Sequence, residues 1–159
     1  MLVGSIMEQS TSHDSMFWPM IGLMVVFSYV VMSNVMLTFS NGIYNTVNKA
    51  YMALLMGGLM GMIYYIIMIW QGHRSKEMWY GLAIWTIISL VFIILIREQT
   101  LVNDQGFLKS MIEHHDMAIL MSDRIINKTK NTELANFAKN IITAQQEEIY
   151  WMKNKLKQK

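Results

Sequence analysis

Apolar residues form three long runs in the first two thirds of the chain, and short polar stretches separate these runs. The runs cover residues 17–39, 50–70 and 79–96. A helix of ~20 apolar residues crosses a ~30 Å hydrocarbon layer, and each run is about that long. Trp18, Trp70 and Trp79 lie at the run ends, where the indole ring prefers the membrane interface. We therefore predict a three-helix transmembrane anchor over residues 17–97, after a polar leader at 1–16.

The pattern changes after Arg97 to amphipathic spacing. Apolar positions recur at helical intervals over 104–128 and 132–156, which predicts two surface helices. The polar turn between them offers Asn131 or Thr132 as an N-cap. A turn this short favours an antiparallel two-helix hairpin. The predicted fold is therefore all-α, with three transmembrane helices followed by a hairpin domain at 98–159.

Charge is segregated in the same way. Of the 24 Asp, Glu, Lys and Arg residues, 17 lie in residues 98–159. Lipid penalises charge, so its scarcity before residue 98 supports the anchor. The net charge of +2 is small, and nothing resembles a nucleic-acid footprint. There is no cysteine, which excludes disulfides and thiolate metal ligands.

Methionine and glycine raise two questions about the apolar runs. The chain holds 17 methionines, most of them before residue 79. They are either adaptable packing side chains or a thioether path for a metal, and the first interpretation is the more common. Gly57 and Gly61 have the spacing that lets another helix approach closely.

The first amphipathic helix carries the chemistry. At ~100° per residue, Met111, His114 and Met121 share an arc of roughly 80°, with His115 and Met117 on either side. The inner face of the second helix carries Gln145, Glu148 and Met152 among apolar residues. If the two helices fold back on each other at this turn, two residues face each other when their residue numbers add up to about 262. The facing pairs are then Met111 with Met152, His114 with Glu148, and Met117 with Gln145.

Thioether and imidazole groups at one level suit a soft metal ion, and thioethers favour Cu(I). The predicted ligands are His114, Met111 and Met121, completed by Met117, His115 or Met152. Glu148 and Gln145 are expected to orient an imidazole or to ligate a harder metal. The alternative interpretation is a packed core in which Glu148 only satisfies a histidine. The candidate metal residues are Met111, His114, His115, Met117, Met121, Gln145, Glu148 and Met152.

Two stretches, FLKSMIEHHDMAILM and IITAQQEEIYWM, also resemble the family numbered 305 among domains of unknown function. The resemblance covers about residues 100–156. It implies a ferritin-like helical domain in the bacterial envelope, here ending a membrane anchor as in one subgroup. Some members bind copper, which implies the same for Met111, His114, His115, Met117, Met121 and Met152. Glu113 stands where relatives often have proline, and Ser122 stands where some have cysteine.

One hairpin is half of a four-helix bundle, so we expect a homo-oligomer formed through the hairpins. Packing back on the anchor is the competing solution. The expected function is copper sequestration or handover at the bacterial inner membrane, with a copper donor or acceptor protein as a further partner.

Two other functions are alternatives. They are a non-catalytic assembly module and, more weakly, transport through the apolar runs. No catalytic motif is present, so we do not expect an enzyme. The positive-inside rule weakly favours a cytoplasmic hairpin, whereas the family resemblance places it outside.

Overall fold

A computed structural model of the protein describes residues 16–38 and 41–158. The described part is all-α, with five helices and no strand. The helices are α1 (Met16–Met32), α2 (Val47–Trp70), α3 (Lys76–Arg97), α4 (Asp104–Ile126) and α5 (Thr132–Lys157). Apart from Met16, which begins α1, the predicted leader lies outside the described residues.

The last four predicted helices lie within a few residues of their predicted bounds. Side-chain caps explain where the amphipathic pair begins. The Asn103 carboxamide oxygen accepts a hydrogen bond from the Gly106 N–H of α4 at 2.8 Å. The Asn131 side-chain oxygen accepts a hydrogen bond from the Leu134 N–H of α5 at 3.2 Å, so the cap is Asn131 and not Thr132, the other residue that the sequence offered. An N-cap satisfies one of the four backbone donors that a helix start leaves without a partner.

The prediction of three transmembrane helices is wrong, because the first apolar run does not continue as a helix. α1 ends at Met32, and its last five residues are π-helical. A turn follows at 33–36, and Leu37 is buried at 3% exposure. At 1.5 Å per residue, a helix this short spans about 26 Å. Within the described residues, only α2 and α3 are long and apolar enough to cross a membrane.

One compact unit contains the described residues up to Met32 together with Lys49–Thr100. Glycines on α2 permit its close packing. A Cβ atom on Gly57 would lie 2.5 Å from Cγ2 of Val25, and one on Gly61 would lie 2.4 Å from the Trp85 ring. The predicted close approach at these two glycines is therefore confirmed, with α1 at the first and α3 at the second.

The other compact unit contains Ser33–Asn48 together with Leu101–Lys159. Its core consists of Ile112 from α4 and of Ile149 and Met152 from α5. Tyr44, from the connection between α1 and α2, packs against this core. The predicted anchor included residues 33–48, whereas the structure groups residues 33–38 and 41–48 with the C-terminal helices.

Candidate metal site

α4 presents Met111 and His115 one helical turn apart, so the two side chains extend from the same face of the helix. α5 presents Glu148 and Met152 with the same spacing. These four side chains line one pocket of about 240 Å³ between the two helices. Phe107, Leu108 and Trp151 complete its wall. The pocket thus brings together two thioethers, one imidazole and one carboxylate in largely apolar surroundings.

His115 is the most constrained polar group in the pocket. Its side chain is 13% exposed, and Nδ1 lies 3.2 Å from Oε2 of Glu148. The buried Nδ1 makes no hydrogen bond to any of the described residues. A buried polar atom without a partner is costly. A ligand that accepts the nitrogen lone pair would remove that cost.

Burial lowers the pKa of His115 below the ordinary value of 6.5. The nearby Glu148 carboxylate opposes this shift, and His114 adds to it. The imidazole is therefore kept neutral near pH 7, and a neutral imidazole is the form that binds a metal.

The other predicted residues lie elsewhere. His114 is exposed, and its ring centroid lies 6.4 Å from that of His115. His115, not His114, therefore approaches Glu148, and the predicted pairing is wrong by one residue. Met121 is 59% exposed and lines a different groove. Met117 and Gln145 are half-buried, and neither lines the pocket.

Sequence reasoning missed two buried carboxylates on α4. Glu113 and Asp116 are 7% and 1% exposed. Oδ2 of Asp116 accepts the Thr38 N–H at 2.6 Å, and Oδ1 accepts the Thr38 hydroxyl at 2.5 Å and the Asn41 carboxamide at 2.7 Å. Oε1 of Glu113 accepts the Tyr44 N–H at 2.7 Å. The available clue was an acidic pair one turn apart, beside the apolar Ile112.

A wider apolar groove lies nearer the turn between α4 and α5. It has a volume of about 570 Å³ and includes the exposed side chains of Met121, Leu134 and Phe137. Arg124 and Lys128 also line it. Among the described residues that line this groove, Met121 is the one predicted metal residue, and none is a histidine or an acidic residue.

The fold and the site define an all-α protein with two long apolar helices and a methionine- and histidine-bearing helix pair. Residues 97–159 match the model of the "Domain of unknown function (DUF305)" family. The chain is also 37% identical, over 134 residues, to "Uncharacterized protein L153" of Acanthamoeba polyphaga mimivirus. That alignment covers 82% of this chain and 86% of the relative, so the similarity extends into the apolar helices. The chain belongs to the DUF305 family. No solved structure matches it.

Proposed function

We propose that this protein is a membrane-anchored copper-binding protein that sequesters Cu(I) or hands it to another protein. The observation that carries the proposal is the pocket that Met111, His115, Glu148 and Met152 share. Thioethers are half of its potential donors, and thioethers select Cu(I) over harder ions. The buried Nδ1 of His115, which makes no hydrogen bond within the described part of the chain, is the nitrogen donor of this site.

Glu148 has a supporting role in this proposal. Its carboxylate is 56% exposed and lies beside the imidazole. A carboxylate next to a metal-bound histidine fixes the ring and raises its basicity. It also offsets the positive charge of Cu(I). Met111 and Met152 reach the pocket from different helices, so a bound ion would hold α4 and α5 together.

The membrane anchor is the second part of the proposal. α2 and α3 are the candidate spans, with mean hydropathies of 2.0 and 2.3. The side of the membrane rests on the family resemblance, which favours the outside of the cytoplasm. The similar protein of known sequence is viral, so the proposal is an anchor in a membrane and not specifically in a bacterial envelope. In this proposal the protein catalyses no reaction.

The proposed arrangement of α4 and α5 is an antiparallel hairpin that forms half of a ferritin-like bundle. Five residues connect the helices, and the core joins Ile112 in the first half of α4 to Ile149 and Met152 late in α5. Both observations fit antiparallel packing.

Copper titration of the full chain in detergent micelles tests this function. Cu(I) is titrated against a chromophoric chelator for the wild type, His115→Ala and the matched control His114→Ala. We expect His115→Ala to weaken binding at least about tenfold, equivalent to about 1.4 kcal/mol. The control is expected to stay near the wild type, because His114 faces solvent. Equal affinities in all three proteins would contradict the proposed site.

The apolar groove near the turn favours a second candidate function, a non-catalytic module that assembles without metal. Phe137 is 61% exposed and Leu134 is 40% exposed, and a second copy of the helix pair would cover them in a four-helix bundle. Sedimentation of metal-free full-length protein tests this candidate. A metal-independent dimer that Phe137→Lys converts to a monomer, together with no copper binding, would favour assembly over copper handling.

A further inference from the structure

The connection between α1 and α2 lies against the helix pair on the face that carries Glu113 and Asp116. We name its described residues, 33–38 and 41–48, the docked segment. We propose that Glu113, Asp116 and Asn41 are positioning residues that hold the docked segment on the helix pair and thereby set the geometry of the copper pocket. This inference rests on the proposed function and adds a structural element that lies outside the matched domain.

Asp116 makes several of the polar contacts that hold this segment. Its two carboxylate oxygens accept three hydrogen bonds, two from Thr38 and one from Asn41. The two oxygens of a carboxylate offer about four lone-pair sites, so one side chain can accept all three bonds. A carboxylate that is 1% exposed is tolerable only when such partners compensate its lost hydration. The docked segment supplies these partners.

Asn41 connects the two helices beside the pocket. Its Nδ2 donates to Asp116 on α4, and its Oδ1 accepts from Nζ of Lys153 on α5 at 2.8 Å. Asp116 follows His115 in the sequence, and Lys153 follows Met152. A single side chain from the docked segment therefore bridges residues adjacent to one pocket residue on each helix.

Tyr44 supplies the apolar part of the same contact. Its backbone N–H donates to Glu113, and its side chain packs on the core of Ile112, Ile149 and Met152. Met111 packs against this core as well. Through Tyr44, the docked segment contacts the same core as the two pocket methionines: Met152 belongs to this core, and Met111 packs against it. Removal of the docked segment would therefore let both thioethers move.

A purely structural docked segment and a positioning one differ in a measurable way. Coupling between metal binding and docking is reciprocal. If docking sets the pocket geometry, Cu(I) must in turn stabilise the docked segment. If docking is only structural, its loosening leaves copper affinity unchanged.

The test uses the full chain in detergent micelles, with hydrogen exchange over residues 41–48 and Cu(I) affinity as readouts. Asn41→Ala removes the bridge without changing either helix. We expect faster exchange at the Tyr44 amide and a loss of affinity of about 10- to 100-fold, as for supporting residues at other metal sites. Saturating Cu(I) is expected to slow this exchange in the wild type. Asn140→Ala, an exposed asparagine on α5, should change neither readout.

Several outcomes overturn the inference. One is an Asn41→Ala protein with faster exchange at Tyr44 and unchanged copper affinity. A second is unchanged hydrogen exchange at the Tyr44 amide in both Asn41→Ala and Asp116→Asn. The docked segment would then not depend on this bridge. A wild type that binds no Cu(I) ends the proposed function and the coupling together, while the exchange difference between Asn41→Ala and the wild type still reports whether the segment docks.

Discussion

His114 and His115 are neighbours in the sequence with different surroundings, and this difference predicts a pH effect. The pKa of His115 is lowered mainly by burial, so the unfolded chain takes up a proton on this side chain more readily than the folded chain. Protonation therefore favours unfolding as the pH falls below about 6.5. The loss of stability levels off once the pH is below the pKa of His115 in the folded protein.

We expect the thermal stability of metal-free protein to fall between pH 7.5 and pH 5.5, and to fall less in His115→Gln. The measurement is the unfolding temperature in detergent at each pH. His114→Gln is the matched control, because its side chain is exposed, and its pH dependence should follow the wild type. A His115→Gln protein with the full wild-type pH dependence would refute the prediction.

Side-chain chemistry could be predicted from the sequence more reliably than the pairing of individual residues. Two thioethers, a histidine and Glu148 were predicted to meet, and Met111, His115, Glu148 and Met152 do line one pocket. The pairing failed by one residue because consecutive helical positions differ by ~100°. A small rotation of α4 then decides which of two adjacent histidines faces α5.

At the scale of elements, hydropathy predicted four of the five helices well but not the end of α1. Val35 and Met36 continue the apolar pattern, so the run resembles a longer helix. Leu37 instead enters the second unit and is buried there. The docked segment could not be predicted from the sequence, because its hydrogen bonds to α4 join residues 62 to 78 positions apart. Local periodicity carries no information about such pairs.

The glycines of α2 give a prediction about helix packing. A Cβ atom on Gly61 would lie 2.4–2.8 Å from three atoms of the Trp85 ring, and the bulky ring has little room to move. Overpacking of this kind typically costs about 1–3 kcal/mol. We therefore expect Gly61→Ala to lower the unfolding temperature in detergent. Gly22→Ala is the control, because nothing lies within 4 Å of its added Cβ. Equal unfolding temperatures for the two variants would show that the close approach does not limit stability.

At the scale of the whole molecule, chain connectivity constrains the membrane topology. In the proposed anchor, α2 and α3 would be two spans that return the chain to the side from which α2 started. The Tyr51 hydroxyl donates to the Thr100 carbonyl at 3.0 Å, which brings the start of α2 close to the residues just after α3. The connection before α2 and the helix pair after α3 are therefore expected on one side of the membrane. This agrees with their grouping in one compact unit.

The absence of cysteine makes this topology directly testable, because single cysteines can be introduced at exposed positions. The positions are Ile43 in the docked segment, Lys130 in the turn between α4 and α5, and His73 between α2 and α3. We expect a membrane-impermeant maleimide to label Ile43→Cys and Lys130→Cys in intact spheroplasts, and His73→Cys only in inverted vesicles. If Ile43→Cys and Lys130→Cys are labelled only in inverted vesicles and His73→Cys in spheroplasts, the helix pair lies in the cytoplasm and the two-span topology still holds. A third outcome would place Ile43→Cys and His73→Cys on one side of the membrane and Lys130→Cys on the other. It would contradict both the two-span anchor and the docking of this segment on α4.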